Sequence, residues 1–433
     1  MRILIIGAYG FIGSHLAAGL AARGHEIVAA GRDVAYGRKR FPHFEWVPCD
    51  LNKDLTAEAW LPRLANVDIV INAAGILQGS LRDSTANVHH KGPAALFEAC
   101  EQVGVKRVIQ ISALGAGDAS GTAYAHTKAS GDTALQTHKL NWVILRPSLV
   151  YGRGVFGGTA LFRGLAGLPF IVPRLSRDPV FQPIHIDDVA EVIARFCEGN
   201  TPSLAILNLV GPEQKPLSEF VRASRRWLGF GAGKVVTIPY GLARLAARLG
   251  DMIGWLGSRT SFRTTALKLV EEPNVAPMDP LVKATGFTPR PMADALAADP
   301  AQVQDRWHAR LFFLKPLARI VLALFWIVSG LVLLDPISFS YAAGVVIQMG
   351  LSPDTAGPVA IAGGIIDIAL GLLLLLGWRV RSVIAAMILV SLGYMIALTI
   401  SLPGLWLDAL GTLTKIVPLI VFMLMVAAIE DER

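Results

Sequence analysis

The chain has 433 residues, of which 53% are hydrophobic and 17% are charged, and its mean hydropathy is +0.50. This length exceeds one typical domain, and this apolar content is high for a purely water-soluble protein. The formal net charge is +7, but Lys and Arg are scattered and several of them flank apolar stretches. The composition therefore favours a membrane protein over a nucleic-acid-binding one, and we expect no nucleic acid partner.

The three cysteines, Cys49, Cys100 and Cys197, lack the paired spacing of a zinc site or a disulfide framework. We therefore expect no bound metal and a front region in a reducing, cytosolic compartment. An apolar run follows Arg2 but ends at Gly7, which is too short for the apolar core of a secretion signal. This run is better interpreted as a first buried strand.

Residues 1–215 alternate short β-rich runs with helical stretches, the pattern of a doubly wound α/β (Rossmann) domain with a parallel sheet. The predicted strands are Arg2 to Ile6, Glu26 to Ala30, Ile69 to Asn72, Arg107 to Ile111 and Trp142 to Arg146. Between the first two, Ile12, Leu16 and Leu20 recur at helical spacing and predict a crossover helix with one apolar face.

A glycine-rich turn follows the first strand and opens this helix. Glycines there let a pyrophosphate approach the backbone, and the helix N-terminus supplies N–H groups and a positive dipole. The same pattern is compatible with a tight turn that only packs a helix closely, but strand, glycines, helix and second strand follow in order. The turn therefore predicts dinucleotide binding by Gly7, Tyr9, Gly10, Phe11, Ile12 and Gly13.

The end of the second strand predicts which dinucleotide binds. An NAD-preferring site places an acid there, against the ribose 2′-hydroxyl, whereas this chain has Gly31 followed by Arg32. A guanidinium suits a 2′-phosphate, so we expect NADP(H) to be preferred, with NAD(H) possible. The alternative is a solvated arginine in a basic loop. Further residues that follow strands are predicted to border the adenine and the inner ribose: Asp50, Leu51, Ala73, Ala74 and Gly75.

Tyr124 and Lys128 are four residues apart and share a face if both lie on one helix. An ammonium about 4 Å from a phenol, at an effective dielectric constant of about 20, contributes up to ~4 kcal/mol, or ~3 pKa units. This spacing predicts that the pKa of Tyr124 falls toward neutrality, so that it exchanges a proton while a nicotinamide exchanges a hydride. The alternative is a chance pair on an exposed helix.

Residues 216–310 remain charged and contain many prolines, which predicts a smaller, mostly helical substrate lobe and linker. Within it, Tyr240 to Leu256 is amphipathic, with arginines among leucines. We interpret this segment as a packed surface helix; a helix that rests on a bilayer is the alternative.

Four apolar stretches follow residue 310, each close to the roughly 20 residues that a membrane-spanning helix needs. They are Pro316 to Leu334, Pro358 to Leu376, Val383 to Leu402 and Leu410 to Ile429. We expect a four-helix transmembrane bundle over 311–433, with Trp326, Trp378 and Trp406 as interfacial anchors.

Charges around these stretches predict the orientation. The basic residues Arg310, Lys315, Arg319, Arg379 and Arg381 fall on one side, and Asp335, Asp354, Asp408 and Lys415 on the other. The positive-inside rule then places both termini in the cytoplasm of, we expect, a bacterial inner (plasma) membrane. Asp367 lies in mid-span, where an acid is costly, so it either pairs with Lys415 or a nearby hydroxyl, or handles ions or protons.

The ordered motifs of residues 1–300 resemble the atypical and extended short-chain dehydrogenase/reductases. They are Gly7-x-x-Gly10-x-x-Gly13, Asn72 to Gly75, Asn87 before Val88, Tyr124-x-x-x-Lys128, Leu145 to Gly152 and Pro183 to Ala190. The phrases Ile111 to Ala116 and Phe181 to Pro183 look most like the branch that contains the 39 kDa-type accessory subunit of respiratory complex I, some members of which bind NADPH structurally.

The resemblance implies roles for particular residues. Tyr124 would be the catalytic acid/base, Lys128 would orient the ribose and lower the phenol pKa, and Asn87 would support a proton relay. Pro147 and Ser148, in the fifth of these motifs, would contact the cofactor. The family's catalytic serine or threonine is the second of a Ser-Ser pair, which here reads Ser112-Ala113. Either Ser112 substitutes or this hydroxyl is missing.

Residues 312–430 resemble the DoxX-like family of small four-helix membrane proteins. Gly363 to Leu375, and Leu405 to Lys415 followed by Pro418, carry this resemblance, although the family's asparagine after Lys415 is Ile416 here. It implies the bundle architecture, and the family has quinone- and redox-related associations.

These features predict a membrane-anchored NADP(H)-dependent oxidoreductase that acts on a lipophilic carbonyl, quinone-related or isoprenoid-linked substrate drawn from the lipid bilayer. One alternative is an epimerase or dehydratase of a nucleotide-sugar or lipid-linked sugar. The other is a non-catalytic NADPH-binding module in the assembly of a respiratory or quinone-synthesis complex, which Ala113 favours.

Overall fold

The computed structural model describes residues 1–80, 83–117, 121–154, 158–255, 263–271 and 274–430. The chain forms two compact units, Met1–Ala309 and Arg310–Arg433. The domain limits expected from the sequence, 1–215, 216–310 and 311–433, stay predictions.

The first unit is built on a seven-stranded parallel sheet, which confirms the Rossmann fold. The strands described in this unit, seven of which form the main sheet, are β1 (Arg2–Ile6), β2 (Glu26–Gly31), β3 (Glu45–Pro48), β4 (Ile69–Asn72), β5 (Arg107–Ile111), β6 (Trp142–Pro147), β7 (Val150–Tyr151), β8 (Ile171–Leu175), β9 (Val180–Phe181), β10 (Ile184–His185), β11 (Ala205–Leu209), β12 (Lys215–Pro216) and β13 (Lys234–Ile238). The main sheet has the order β11-β6-β5-β4-β1-β2-β3. From β1 the chain continues to β2 and β3 on one side, and it then crosses to β4 on the other side of β1. Sheets of this type bind ligands at this crossing point, at the carboxyl ends of the strands.

Helices cover both faces of this sheet. The helices described in this unit are α1 (Phe11–Ala22), α2 (Val34–Arg40), α3 (Gly92–Val103), α4 (Ala123–Gln136), α5 (Gly158–Ala166), α6 (Ile186–Glu198), α7 (Leu217–Trp227), α8 (Tyr240–Trp255), α9 (Thr264–Glu271), α10 (Asp279–Thr285) and α11 (Met292–Ala298). Leu16 and Leu20 of α1 pack with Val189 of α6 on one face, as the apolar spacing predicts. Leu96 of α3 and Leu135 of α4 pack on the other.

The segment after the main sheet is mostly helical, as expected, but it also contains a strand. This strand, β13, pairs with β8 in parallel. A separate core of Phe162, Phe220, Leu228 and Met292 joins α5, α7 and α11. The amphipathic segment 240–256 forms α8 through Trp255, and Leu256 lies outside the described residues.

The C-terminal unit is helical. Its helices are α12 (Val303–Leu331), which continues as a short 3₁₀ turn (Val332–Leu334), α13 (Pro336–Gln348), α14 (Pro353–Leu375), α15 (Val380–Ser401) and α16 (Ile416–Ile429). Among the described residues, three helical segments are long and apolar enough to cross a membrane: Val303–Leu334, Pro353–Leu375 and Val380–Ser401. Close helix approach is built on glycines, since a Cβ at Gly330 would lie 2.3 Å from the carbonyl oxygen of Gly364.

The structure corrects several details of the expected spans. The fourth, 410–429, is helical only from Ile416, because a turn with Gly411 at φ +67° precedes it. The first and second helices begin before Pro316 and Pro358 and continue through these prolines. Residues 336–348, expected as a loop, form α13, whose first turn is capped by Asp335.

Polar groups in this unit also differ from the expectations. Trp326, expected at an interface, is buried in the bundle core with its Nε1 unpaired among the described residues. One carboxylate oxygen of Asp367 is also buried, and no hydrogen-bond partner for it lies in the described part of the chain. At one end of the bundle, Arg319 donates to Glu430 at 3.2 Å, and Lys315 lies 3.8 Å from it. The middle of α12 and the end of α16 therefore lie against each other.

Candidate functional site

The glycine turn lies at the carboxyl edge of the sheet, where β1 leads into α1. Gly7 has φ +77°, and a Cβ on it would lie 3.1 Å from the backbone of Ala74, which follows β4. A Cβ on Gly13 would lie 2.2 Å from the carbonyl oxygen of Gly7. The N–H of Gly10 donates to that same oxygen at 2.9 Å. Side chains are excluded from this turn, so the backbone offers the close approach that a pyrophosphate needs.

The residues that open α1 take up the positions that the sequence predicts. Gly10 is the N-cap of α1, and Phe11 and Ile12 form its first turn while packing against the core under the sheet. The described first turn of α1 contains no acidic side chain. The free N–H groups at this end are thus available for an anion.

Tyr9 does not point away from the turn but across to the end of β2. Its hydroxyl accepts the backbone N–H groups of Arg32 at 3.1 Å and Asp33 at 3.3 Å, and its ring stacks on Trp46. A Cβ on Gly31 would lie 2.4 Å from the Tyr9 ring. Gly31, from which the cofactor preference was predicted, is thus also required by packing, because the Tyr9 ring leaves no room for a side chain at this position.

The two acidic side chains Asp33 and Asp83 at this edge each form hydrogen bonds or an ion pair. The Asp33 carboxylate caps α2 by accepting the N–H of Tyr36 at 2.9 Å. The Arg32 guanidinium, which is 41% exposed, forms an ion pair with Asp83. Asn52 also donates to the Asp83 carboxylate, at 3.1 Å. The Arg32 guanidinium is therefore an exposed cation at this edge, and it is paired with the Asp83 carboxylate.

The other predicted adenine- and ribose-side residues follow β3 and β4. Asp50 accepts the N–H of Asn52 at 3.1 Å, and Leu51 is buried beside Gly92 at the start of α3. After β4, Ala73 and Ala74 border the glycine turn, and Gly75 lies beside the Lys128 ammonium. These residues line the same sheet edge.

The predicted catalytic pair lies on α4, which Thr122 caps by accepting the N–H of Ala125 at 3.2 Å. Tyr124 is in the first turn, and the side chain of Lys128 is buried. The Lys128 ammonium donates to the carbonyl oxygen of Ile111, at the end of β5, at 3.0 Å. A Cβ on Gly75 would lie 3.2 Å from the same nitrogen. The structure thus brings Lys128 to the carboxyl ends of β4 and β5.

The protonation of this pair differs from the expectation. Burial, with a smaller contribution from Asp132, raises the pKa of Tyr124 to about 12, so the predicted fall toward neutrality is wrong for this structure. Burial lowers the pKa of Lys128 to about 8, which Asp132 partly opposes. Desolvation is the largest cause of the pKa shift of both groups. Tyr124 is therefore a protonated phenol at neutral pH.

His89 is a member of this cluster that the sequence reasoning missed. Its ring contacts Tyr124 edge to face, with centroids 5.4 Å apart. Its Nε2 accepts the N–H of Ile76 at 3.1 Å, so its Nδ1 carries the proton and donates to Thr127 at 2.9 Å. Burial and the nearby Lys128 charge lower the pKa of His89 to about 2. His89 is therefore a neutral side chain against which the Tyr124 ring packs. Its position directly after Asn87-Val88 was the sequence feature that could have identified it.

The side chain of Ser112 is directed toward Asp132 of α4. Its hydroxyl donates to the buried carboxylate of Asp132 at 2.8 Å. Arg146 donates to the same oxygen through Nη2 at 2.8 Å and Nε at 3.1 Å. Burial raises the pKa of Asp132, against the opposing effect of these bonds. Asp132, one helical turn after Lys128, was not identified from the sequence, although its i+4 spacing was visible.

The remaining predicted site residues face other groups. The side-chain amide of Asn87 donates weakly to the carbonyl oxygen of Asn52 at 3.5 Å, on the side of the predicted cofactor. Pro147 ends β6, and the Ser148 hydroxyl donates to the carbonyl oxygen of Asn274 at 3.3 Å. The glycine turn, Gly75, Tyr124 and Lys128 are therefore gathered at one edge. The catalytic and cofactor-binding roles expected for these residues, and for Asn87, Ser112, Pro147 and Ser148, stay predictions.

Comparisons with known families match the two halves of the chain separately. Residues 3–209 match the NAD dependent epimerase/dehydratase family, and residues 323–424 match the DoxX-like family. The second match, together with the three long apolar helices of the described residues, indicates an integral membrane protein.

Curated relatives include a ceramide reductase of Caulobacter vibrioides, which is 32% identical over 209 residues, or 48% of this chain and 63% of that protein. A second is the mitochondrial NADH dehydrogenase (ubiquinone) 1 alpha subcomplex subunit 9 of Rattus norvegicus, 25% identical over 264 residues, or 58% of this chain and 65% of that protein. The chain thus spans less than two thirds of the length of either relative.

Among solved structures, the chain is similar to UDP-glucuronic acid 4-epimerase from Bacillus cereus, in complex with UDP-glucuronic acid and NAD. The TM-score is 0.51 at 20% identity, covering 69% of this chain and 98% of that one. At this identity the similarity shows a shared fold.

Proposed function

Because the chain joins an NAD-dependent epimerase/dehydratase-family domain to a DoxX-like membrane domain, we propose that it is a membrane-anchored, NADPH-dependent reductase of a lipophilic carbonyl compound. The single observation that carries the proposal is the placement of Tyr124 and Lys128 at the same sheet edge as the glycine turn.

The protonation of Tyr124 favours reduction over oxidation at neutral pH. With a pKa raised to about 12, the phenol holds its proton and is suited to donate it to a carbonyl oxygen. A bound nicotinamide would supply the hydride to the carbonyl carbon. The C=O double bond becomes a C–H and an O–H bond, and the reduced cofactor is oxidised in the same step. A secondary alcohol is the expected product.

Lys128 and His89 position this chemistry. The Lys128 ammonium, held at 3.0 Å from the carbonyl of Ile111 and beside Gly75, is placed to bind hydroxyls of a nucleotide ribose. His89 is neutral and hydrogen-bonded on both ring nitrogens, so it fixes the wall against which the Tyr124 ring packs. Reorientation of the phenol is thereby limited, which favours a productive geometry.

Preference for NADPH is proposed from the end of β2. Arg32 is exposed and cationic there, whereas Asp33 is occupied as the α2 cap. A 2′-phosphate would compete with Asp83 for the Arg32 guanidinium, because charge-assisted bonds from arginine to phosphate are strong and can be bidentate. NADH lacks this group and gains nothing from Arg32.

A lipid-derived substrate is proposed from the membrane domain and from the relative named a ceramide reductase. A long-chain ketone that partitions into the bilayer would reach a reductase tethered to that bilayer at a high local concentration. Lys315 and Arg319, which contact Glu430 at the end of α16, support a cytoplasmic position for that end of α16, where NADPH would be supplied.

The test uses the full chain purified in mild detergent. NADPH and NADH binding is titrated first, and turnover is then followed by NADPH absorbance with two probes: a ceramide oxidised to the ketone at its secondary alcohol, and a short-chain ubiquinone. We expect NADPH binding, and we expect Tyr124→Phe to lower kcat about 10²–10⁴-fold while leaving NADPH affinity within a few-fold. Absence of NADPH binding would sink the proposal. Equal turnover by Tyr124→Phe on an accepted probe would do so as well.

A second candidate function is a non-catalytic NADPH-binding module in a respiratory or quinone-synthesis complex. Two observations favour it: Ala113 stands where the family's hydroxyl is expected, and Ser112 is engaged by Asp132. The relative in mitochondrial NADH dehydrogenase gives it a precedent. Retained NADPH that no probe oxidises, in a protein that copurifies with a stoichiometric membrane partner, would support this candidate over the reductase. A cofactor that is oxidised and reduced within one cycle, without net NADPH loss, would instead indicate an epimerase or dehydratase.

A further inference from the structure

Over residues 242–249 of helix α8, two alanines are buried and three leucines are exposed. Ala243 and Ala247 are 4% and 0% exposed and pack on Leu267 of α9. By contrast, the leucines of the opposite face, Leu242, Leu245 and Leu249, are 59%, 56% and 53% exposed. An ordinary packed surface helix has the reverse arrangement, with large apolar side chains inward.

The exposed leucines form one continuous stripe. At 100° per residue, positions 242, 245 and 249 fall within about 60° of arc, and the buried alanines lie roughly on the other side of the helix. Arg244 and Arg248, both exposed, flank this leucine stripe along one edge. Three exposed leucines in a row with a basic border are the pattern of a helix that lies in the headgroup region of a membrane.

Charges around α8 favour an anionic surface. Lys234 of β13, Arg174 of β8 and Lys268 of α9 are exposed on the elements that neighbour α8. The acid of α8, Asp251, is directed elsewhere, accepting from Thr264 at 2.5 Å and from Gln78 at 3.1 Å. Lysine and arginine near a membrane surface gain from anionic headgroups, which would add to the burial of the leucines.

We propose that the leucine stripe of α8 docks on the surface of an anionic lipid bilayer, with its side chains at the level of the headgroups and upper acyl chains. The chain is an integral membrane protein, so a bilayer is always within tether length and even a weak interfacial helix is occupied. This docking goes beyond the proposed function and does not depend on turnover.

The face of α8 opposite the leucine stripe is held by the loop that leaves β4. Gln78, which donates to Asp251, is three residues after Gly75, and Gly75 lies beside the Lys128 ammonium. Arg263 donates to the carbonyl oxygen of Gly79 at 3.4 Å and to Asp251. The loop that leaves β4 is thus tied to α8 through Asp251, on the face of the helix opposite the leucine stripe.

The test places a polarity-sensitive maleimide fluorophore at Leu245→Cys in the full chain, reconstituted in nanodiscs of phosphatidylcholine and phosphatidylglycerol. The native cysteines are buried and serve as poor labelling sites. The matched control is Val103→Cys, a 46% exposed apolar position at the end of α3. Lipid carrying a spin label near the top of the acyl chain is the quencher.

We expect strong quenching and a blue shift at position 245, and little of either at 103. Replacing Arg244 and Arg248 together by Gln should reduce the quenching in anionic nanodiscs toward that in pure phosphatidylcholine. Absence of quenching at 245, or equal quenching at both positions, would overturn the proposal. A blue shift at 245 without lipid quenching, and growing with the number of chains per nanodisc, would show that a second copy covers the stripe and would overturn it too. NADPH binding, measured in parallel, reports separately on the proposed function.

Discussion

The hydroxyl of Ser112 donates to the carboxylate of Asp132 at 2.8 Å, and both groups are buried. Arg146 donates to the same carboxylate oxygen. Ser112 is therefore part of an internal polar network that joins the end of β5 to α4, and this network supports the helix that carries Tyr124 and Lys128.

We predict that Ser112→Ala lowers the free energy of unfolding by about 2 kcal/mol, the typical net contribution of a hydrogen bond to a charged group, with kcat changed less than about threefold. Asp132→Asn should cost about 3–5 kcal/mol, because it leaves the Arg146 guanidinium without its buried counter-charge. Chemical unfolding in detergent and turnover on an accepted probe measure the two effects. A fall in kcat of Ser112→Ala as large as that of Tyr124→Phe would instead show that this serine acts on the substrate.

The glycine turn allows a matched pair of substitutions on one helix. Gly13→Ala would place a Cβ 2.2 Å from the carbonyl oxygen of Gly7, whereas a Cβ on Gly19 meets nothing within 4 Å. We expect Gly13→Ala to abolish NADPH binding and to cost about 1–3 kcal/mol or more through overpacking. Gly19→Ala should bind normally and gain up to about 1 kcal/mol of helix propensity. Equal NADPH affinities for the two variants would contradict a cofactor role for the turn.

Cofactor preference is predicted to depend on Arg32. Arg32→Gln should weaken NADPH binding by about 10–100-fold, because a charge-assisted hydrogen bond contributes about 1.5–3 kcal/mol, while NADH affinity stays within a few-fold. Asp83→Asn removes the competing carboxylate and should strengthen NADPH binding. Arg38→Gln, on the neighbouring helix α2, is the control and should change neither affinity. Titration by fluorescence at fixed ionic strength distinguishes these outcomes, and a loss of NADPH affinity as large in Arg38→Gln as in Arg32→Gln would assign the effect to general charge.

The buried Lys128 predicts a pH dependence of stability. Its folded-state pKa is about 8, against the ordinary value of 10.5 for an unfolded lysine. Below pH 8 both states bind the proton, so Lys128 adds no slope; between pH 8 and 10.5 the unfolded state binds more protons, so the free energy of unfolding rises with pH. The rise amounts to about 3 kcal/mol, from about 1.4 kcal/mol per pKa unit.

This contribution is measured as the difference between the native chain and Lys128→Met across that range. The difference should shift in favour of the native chain as pH rises through this window. Lys91→Met, at an exposed lysine, is the control and should show a flat difference. A flat difference for Lys128→Met as well would mean that the ammonium is solvated in the folded protein.

The sequence by itself determined the fold class of each unit and five of the seven strands of the main sheet. The predicted strand of Arg2 to Ile6, the glycines that follow it and the helical spacing of Leu16 and Leu20 are local patterns, and the structure has each of them where expected. Membrane spans are likewise local, since they depend on a run of apolar residues of sufficient length. The predicted end of a span was wrong where a single turn sets it, as at Gly411, whose turn delays the start of the last helix.

Tertiary structure alone decided what each polar group of the site does. The spacing of Tyr124 and Lys128 predicted a lowered phenol pKa, but burial of both groups reverses that direction. The partner of Ser112 is 20 residues away on another element, and that of Arg32 is 51 residues away. Desolvation and long-range hydrogen bonds depend on which elements the fold brings together, and no local pattern encodes them.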